Sequence, residues 1–345
     1  MRKLVFLTVF MFIQADELTN NTEIDITKSW SQEPLGWTYP IYIHVPEINV
    51  PDNGLTVCIL LHGNGGNGNG MLSQWINPFN DYILIAPTGY LNSWNISDEN
   101  SEAPDVDMID DLVHMLQTYE NVNPNRIRIL GFSNGAALAN RVFIENTNVG
   151  IDVICSVVSQ LSEAQYHNEN FYYPGGATGG NQEFDGYDII TFPITGRKYL
   201  NIGNVNDQLI PYYGGESVGV NFLDSQEAIY IIANSQGYLG DQLSDEGEEI
   251  GSSSVFEYAY QNKQVVHLRG NAGHGINLIQ REYIVDFFNV ILGDLNDDLL
   301  VNILDVVILV NIVLGISDQI PGSDINQDGD INILDVVHLI GIILN

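Results

Sequence analysis

The chain is poor in three things: cysteine, basic residues and long apolar runs. Two cysteines occur in 345 residues, Cys58 in "LTVCILLHG" and Cys155 in "IDVICSVVSQ". Each lies in an apolar, strand-like run, which reads as a buried free thiol. Their number and spacing exclude a disulfide framework and a thiolate metal centre. Lys plus Arg number 11 against 44 Asp plus Glu, a formal net charge of −33. Such a surface repels a phosphate backbone, so nucleic acid is excluded as a partner, while cations are attracted. The opening "MRKLVFLTVFMFIQA" places Arg2 and Lys3 ahead of about ten apolar residues that end at Ala15, the layout of a secretory signal peptide over 1–15 and too short for a membrane span. No other stretch reads as a transmembrane segment. The expectation is an exported protein, secreted or associated with the cell surface.

Apolar residues make up 45% of the chain, enough for a substantial core. Short apolar runs such as "LTVCILLHG", "YILIAPTG", "RIRILGF", "IDVICSVVSQ", "GRKYLNIG" and "KQVVHLRG" alternate with helical patterns. In "DVDMIDDLVHMLQTYE", for example, Val106, Ile109, Leu112, Val113 and Leu116 recur at helical spacing. This alternation predicts an α/β fold, a mostly parallel sheet with helices on both faces. Residues 162–195, rich in Gly, Tyr and Phe, break the rhythm and are expected to form a lid-like insertion whose aromatic side chains meet substrate. From Gly293 two copies of one motif follow, offset from 294 to 324, so a separate small module is expected over 293–345.

Chemistry enters at "GFSNG", residues 131–135, a G-x-S-x-G pattern between a strand and a helix. In that setting Ser133 projects from a sharp elbow at the top of the sheet as a nucleophile; the competing reading is a helix cap in a tight turn. A serine hydroxyl needs a base and an oxyanion hole. The backbone N–H groups of Asn134 and of Asn64, in the loop "HGNGG", are the candidate donors, with His62 a structural member of that turn. Of seven histidines, His274 alone lies in a Gly-flanked loop past a late strand, "GNAGHGI", which makes it the candidate base. Asp207, four residues after "NIG", is the candidate orienting acid, with Asp224 and Asp185 as competitors.

The acidic repeats carry a second chemistry. Asp324, Asn326, Asp328, Asn332 and Asp335 stand at positions 1, 3, 5, 9 and 12 of a loop with Gly329 at position 6 and the Asp330 carbonyl at position 7. That is the ligand spacing of a Ca²⁺ loop. The first repeat supplies Asp294, Asn296, Asp298, the Leu300 carbonyl, Asn302 and Asp305, with Leu299 at the turn, where a left-handed conformation costs about 1–2 kcal/mol. Two Ca²⁺ ions are expected, and no cofactor for catalysis.

The motifs "LLHGNGGNG", "GFSNGA", "NVNDQLIPYYGG" and "GNAGHGI" resemble the secreted polyhydroxybutyrate depolymerase and feruloyl esterase branch of the α/β-hydrolases, over roughly residues 35 to 290. The resemblance implies an α/β-hydrolase esterase domain over 16–292. It makes Ser133 the nucleophile, His274 the base and then acid, and Asp207 its orienter. It also implies that Trp94, in "PTGYLNSWN", contacts substrate near the acyl pocket. The tail resembles type I dockerin modules, which are all-α, fold around Ca²⁺ and dock onto cohesin partners, although the apolar pairs Ile303-Leu304 and Ile333-Leu334 stand where many dockerins carry polar recognition residues. Together these imply a secreted serine carboxylesterase acting on a polyester or on feruloyl- or acetyl-substituted polysaccharide, with a cohesin-like protein as partner. Two alternatives stay open at this level: an inactive hydrolase-fold binding protein, and a serine peptidase on the same fold.

Overall fold

Strand Leu55–Leu61 is buried along almost its whole length, as a strand covered on both faces must be. Its side chains divide by the period of two: Val57, Ile59 and Leu61 enter one apolar core, Cys58 and Leu60 the other. The computed structural model describes residues 16–51, 53–97, 99–175, 183–244, 246–261, 263–289, 293–296, 301–317, 319–320, 322–326 and 330–344.

The main sheet contains β1 (Ile41–His44), β2 (Leu55–Leu61), β3 (Ile83–Pro87), β4 (Val122–Phe132), β5 (Ile151–Val157), β6 (Lys198–Asn204), β7 (Glu248–Glu249), β8 (Phe256–Tyr260) and β9 (Val265–Gly270). Their order in space is β1-β3-β2-β4-β5-β6-β9-β8-β7. The six strands from β3 to β9 in that order are parallel. The edge strands β1, β8 and β7 are antiparallel to their neighbours. One face is covered by α2 (Asp105–Leu116), α3 (Asn134–Glu145) and α4 (Ser225–Ser235), the other by α1 (Gly68–Trp75) and α5 (Leu278–Asn289). Cys58 and Cys155 are free thiols buried in the second core, and burial pushes both well above the ordinary thiol range.

Two segments depart from the expectation. The run "GWTYPIYIHVP" is two strands, not one: Trp37–Thr38 pairs with Thr27–Lys28, and β1 begins only after Pro40, whose nitrogen has no proton to give a ladder. The insertion is not irregular throughout. Tyr166–His167, Asn170–Pro174 and Tyr187–Thr191 form a three-stranded antiparallel sheet, while 176–182 lie outside the described residues. Its aromatic residues face the body of the protein. Phe171 packs edge-on against Phe143 of α3, and the Tyr187 hydroxyl donates to the Ile96 carbonyl at 2.7 Å.

In the C-terminal repeats, α6 (Ile303–Val313) and α7 (Ile333–Leu344) pack Val306, Leu309 and Ile312 against Val336 and Leu339, a core of its own closed by Leu295 and Ile325. Among the described residues no helix is long and apolar enough to cross a membrane. The opening segment 1–15 lies outside the described residues.

Candidate active site

At the carboxyl end of β4 the chain turns into α3 with Ser133 at φ 55° and ψ −119°, a strained conformation for a residue with a side chain. The flanking glycines explain how the turn closes. A Cβ on Gly131 would lie 2.2 Å from the Gly135 carbonyl oxygen, and one on Gly135 would lie 2.3 Å from that of Leu61. Neither position can carry a side chain, so α3 starts directly behind the strand ends. Ser133 stands at the N-cap of α3, yet its hydroxyl makes no capping bond; its carbonyl accepts from Ala136 and Ala137 instead. The cap reading therefore fails, and Oγ is left for another partner.

That partner is His274, whose Nε2 lies 2.8 Å from Ser133 Oγ. On the other side of the ring, Nδ1 lies 2.8 Å from Asp207 Oδ2. An ionised carboxylate can only accept, so Nδ1 carries the proton and Nε2 is the acceptor from the serine hydroxyl. Asp207 sits in the turn after β6, where its Oδ1 accepts from the N–H groups of Leu209 and Ile210 at 2.8 and 3.0 Å, which aims Oδ2 at the ring. Its side chain is 2% exposed and that of His274 19%. Of the competing acids, Asp224 caps α4 through bonds from Gln226 and Glu227, and Asp185 accepts from Ser97; neither meets His274.

The three residues open on a cavity of about 590 Å³. Asn64 and Asn134 both line it, and among the described residues neither N–H donates to a protein acceptor. The Asn134 side chain is occupied elsewhere: Oδ1 accepts from Trp94 N–H at 2.7 Å and Nδ2 donates to Glu99 at 2.9 Å. Only its backbone N–H is therefore available to the cavity. Gly63 brings the other loop close, since a Cβ there would lie 3.3 Å from Ser133 Cβ. His62 is structural, as expected: it is buried, Nδ1 donates to the Gly63 carbonyl, Nε2 accepts from Gly89 N–H at 3.0 Å, and burial holds its pKa below the usual imidazole value.

Two expectations are corrected. Trp94 does not face the cavity. It is fully buried, its Nε1 donates to the His62 carbonyl at 2.7 Å and its ring lies 4.7 Å from the His62 ring, so it supports the loop from beneath. Nor do the aromatic residues of the 162–195 insertion form the cavity wall; of its described residues, Ser162 and Gln165 line it. The apolar wall is built instead by Leu209, Ile210, Val218, Val220 and Phe222, from the segment after β6 that contains the hairpin Gly215–Ser217 with Val220–Phe222.

Sequence reasoning also missed Asn204, the last residue of β6. Its Nδ2 donates to the carbonyls of Gly273 and Gly275, on either side of His274, at 3.2 and 2.7 Å, while its Oδ1 accepts from Gln280 at 2.9 Å. The one available signal was its place at the carboxyl end of a strand, where parallel sheets collect functional groups.

In the C-terminal module the two repeats match bond for bond. Asp305 accepts from the N–H groups of Leu295, Asn296 and Asn302, and Asp335 from those of Ile325, Asn326 and Asn332. Both carboxylates are fully buried, and Asp294 and Asp324 nearly so. Asn302 and Asn332 also cap α6 and α7 through Leu304 and Leu334 N–H. Among the described residues no three acidic, His or Cys side chains converge as a metal cluster; Asp298, Leu299, Leu300, Asp328 and Gly329 lie outside the described residues. The donors present are hard oxygens, the chemistry Ca²⁺ takes.

A parallel sheet in this order, with a strained serine on the turn from its central strand to a helix, decides the architecture. The fold is that of an α/β-hydrolase. Residues 292–344 match the dockerin type I domain, so a dockerin module ends the chain. No curated protein matches the sequence. Among solved structures, the Bacillus cereus carboxylesterase is 12% identical, with 72% of this chain and 93% of that one covered at a TM-score of 0.46. The acetyl xylan esterase from Aspergillus awamori is 14% identical, with 72% and 93% covered at 0.49. Esterase PE8 is 13% identical, with 72% and 96% covered at 0.43. These are likenesses of fold.

Proposed function

We propose that the chain is an exported serine carboxylesterase working through an acyl-enzyme on Ser133. The observation that carries this reading is the pair of 2.8 Å hydrogen bonds linking Asp207, His274 and Ser133 at the mouth of a cavity. His274 takes the hydroxyl proton on Nε2 as Ser133 Oγ attacks the ester carbonyl. Asp207 stabilises the resulting imidazolium, and the N–H groups of Asn64 and Asn134 receive the oxyanion. The proton passes to the departing alcohol and leaves an acyl ester on Ser133. A water that loses its proton to the same Nε2 attacks this ester, and Ser133 recovers its proton as the acid departs.

The substrate is a neutral ester, in keeping with the acidic surface: a hydroxyalkanoate polyester, or a feruloyl or acetyl group on polysaccharide. What supports that class is the resemblance of the four motifs and the dockerin module. The module, over 293–345, holds two Ca²⁺ ions through Asp294, Asn296, Asp298, Leu300, Asn302 and Asp305, and through Asp324, Asn326, Asp328, Asp330, Asn332 and Asp335. It attaches the secreted enzyme to a cohesin-like partner.

The test is hydrolysis of methyl ferulate, p-nitrophenyl acetate and a hydroxybutyrate oligomer by the mature protein and by Ser133→Ala. Turnover of at least one ester is expected, with a loss of roughly 10⁴-fold or more in the variant. Equal turnover by the variant, or none by the folded wild type, would sink the reading.

A further inference from the structure

One wall of the cavity is polar, lined by Ser159, Gln160, Ser162 and Gln165. Most of this wall is already satisfied within the protein. Gln160, for example, donates to the carbonyls of Pro211 and Leu223 at 2.8 and 3.0 Å and so ties the apolar segment to the sheet. Gln165 is different. It is 2% exposed, and its Nε2 has no hydrogen-bond acceptor among the described residues. The orientation of the amide follows from its other end: Ser162 N–H, which can only donate, lies 3.2 Å from Oε1. The oxygen is therefore engaged and the NH₂ group is the unmatched one. Buried donors are ordinarily paired, and an unpaired one in the wall of a binding cavity is poised for a ligand acceptor.

We infer that Gln165 is a specificity residue, donating from Nε2 to a neutral acceptor oxygen that the substrate carries outside the scissile ester. The inference rests on the esterase reading and deepens it: a plain alkyl ester leaves this donor unmatched, and an oxygenated ester satisfies it. A charged acceptor is disfavoured by the field of a chain with net charge −33 and by Glu99, which lines the same cavity. Two sources carry such an oxygen. One is the acyl side, where a hydroxyalkanoate bears a hydroxyl or a second ester; the other is the alcohol side, where a sugar bears hydroxyls.

Two matched pairs of esters test the proposal and separate the sources: methyl 3-hydroxybutyrate against methyl butyrate, and glycerol monoacetate against propyl acetate. In one pair the wild type should favour the oxygenated member by roughly threefold to tenfold in kcat/KM, the range of one neutral hydrogen bond. Gln165→Leu removes the donor. Gln165→Glu also removes it yet keeps an oxygen for Ser162 N–H, which guards against a packing effect. Both variants should bring the ratio close to one. A wild type indifferent within both pairs, or a preference that persists in both variants, overturns the assignment. If no ester is turned over, the esterase reading fails separately, and binding of the same pairs to the Ser133→Ala protein, followed by ligand-observed NMR, decides Gln165. Equal binding within each pair then overturns it.

Discussion

At Ser133 a single positive φ converts a buried strand into a presented hydroxyl, and the cost of that strain is met by packing around it rather than by the residue itself. The same economy of parts holds one position on, where the Asn134 backbone faces the cavity while its side chain pins the loop carrying Trp94 and Glu99. That loop leans in turn on Asp105, whose Oδ2 accepts from Asn95 N–H at 2.7 Å and whose Oδ1 accepts from the Tyr39 hydroxyl at 2.9 Å. Burial raises the Asp105 pKa from 3.8 to about 7, against the opposing pull of those bonds. A raised carboxyl binds its proton more tightly in the folded state. Its contribution to stability is therefore full below pH 3.8 and is lost as pH rises through about 7. Asp105→Asn is neutral at every pH and escapes that loss. Urea unfolding at pH 4.5 and pH 8 should show the variant gaining on the wild type by up to a few kcal/mol at the higher pH. A difference that does not change with pH would contradict this.

Between elements, the contact that matters most is α3 against the end of β2. A methyl group on Gly135 would lie 2.3 and 2.5 Å from the Leu61 and His62 carbonyl oxygens, so α3 must move outward to admit it. Gly135→Ala should destabilise the fold by about 1–3 kcal/mol and lower kcat, because Ser133 rides on the same turn. Thermal unfolding together with turnover checks this, and a variant with unchanged Tm and kcat would remove the steric argument. The strands, the serine elbow, the histidine loop and the acid after β6 could all be read from periodicity and chain order, because parallel sheets bury continuous apolar runs and place functional loops at one edge. The cavity walls could not be read in this way. The Tyr- and Phe-rich insertion looks like a lid in sequence, but Phe171 and Tyr187 are drawn onto α3 and the Trp94 loop. Leu209, Val218 and Val220, with no periodicity to mark them, line the cavity instead.

The molecule as a whole has apolar cores of different kinds. The sheet is covered on both faces by large clusters, while the C-terminal repeats share one small core whose loops are closed by buried Asp305 and Asp335. A core of that size needs a metal to hold it. Chelation with EGTA should therefore melt the C-terminal module at a lower temperature and leave the main transition and ester hydrolysis in place. Calorimetry with and without Ca²⁺ checks this; loss of both transitions together would join the two parts into one folding unit.

The linear order of residues determined by itself the alternation of strand and helix, the doubled acidic loop, and the chain order serine, aspartate, histidine, because each is a local pattern or a simple sequence along the chain. Only the tertiary structure decided that Trp94 lies beneath the site, that Asn204 grips the histidine loop from 69 and 71 residues away, and that Gln165 meets the cavity with an unmatched donor. Those are facts of what packs against what, and a side chain's neighbours across the fold leave no period in the chain for a reader to find.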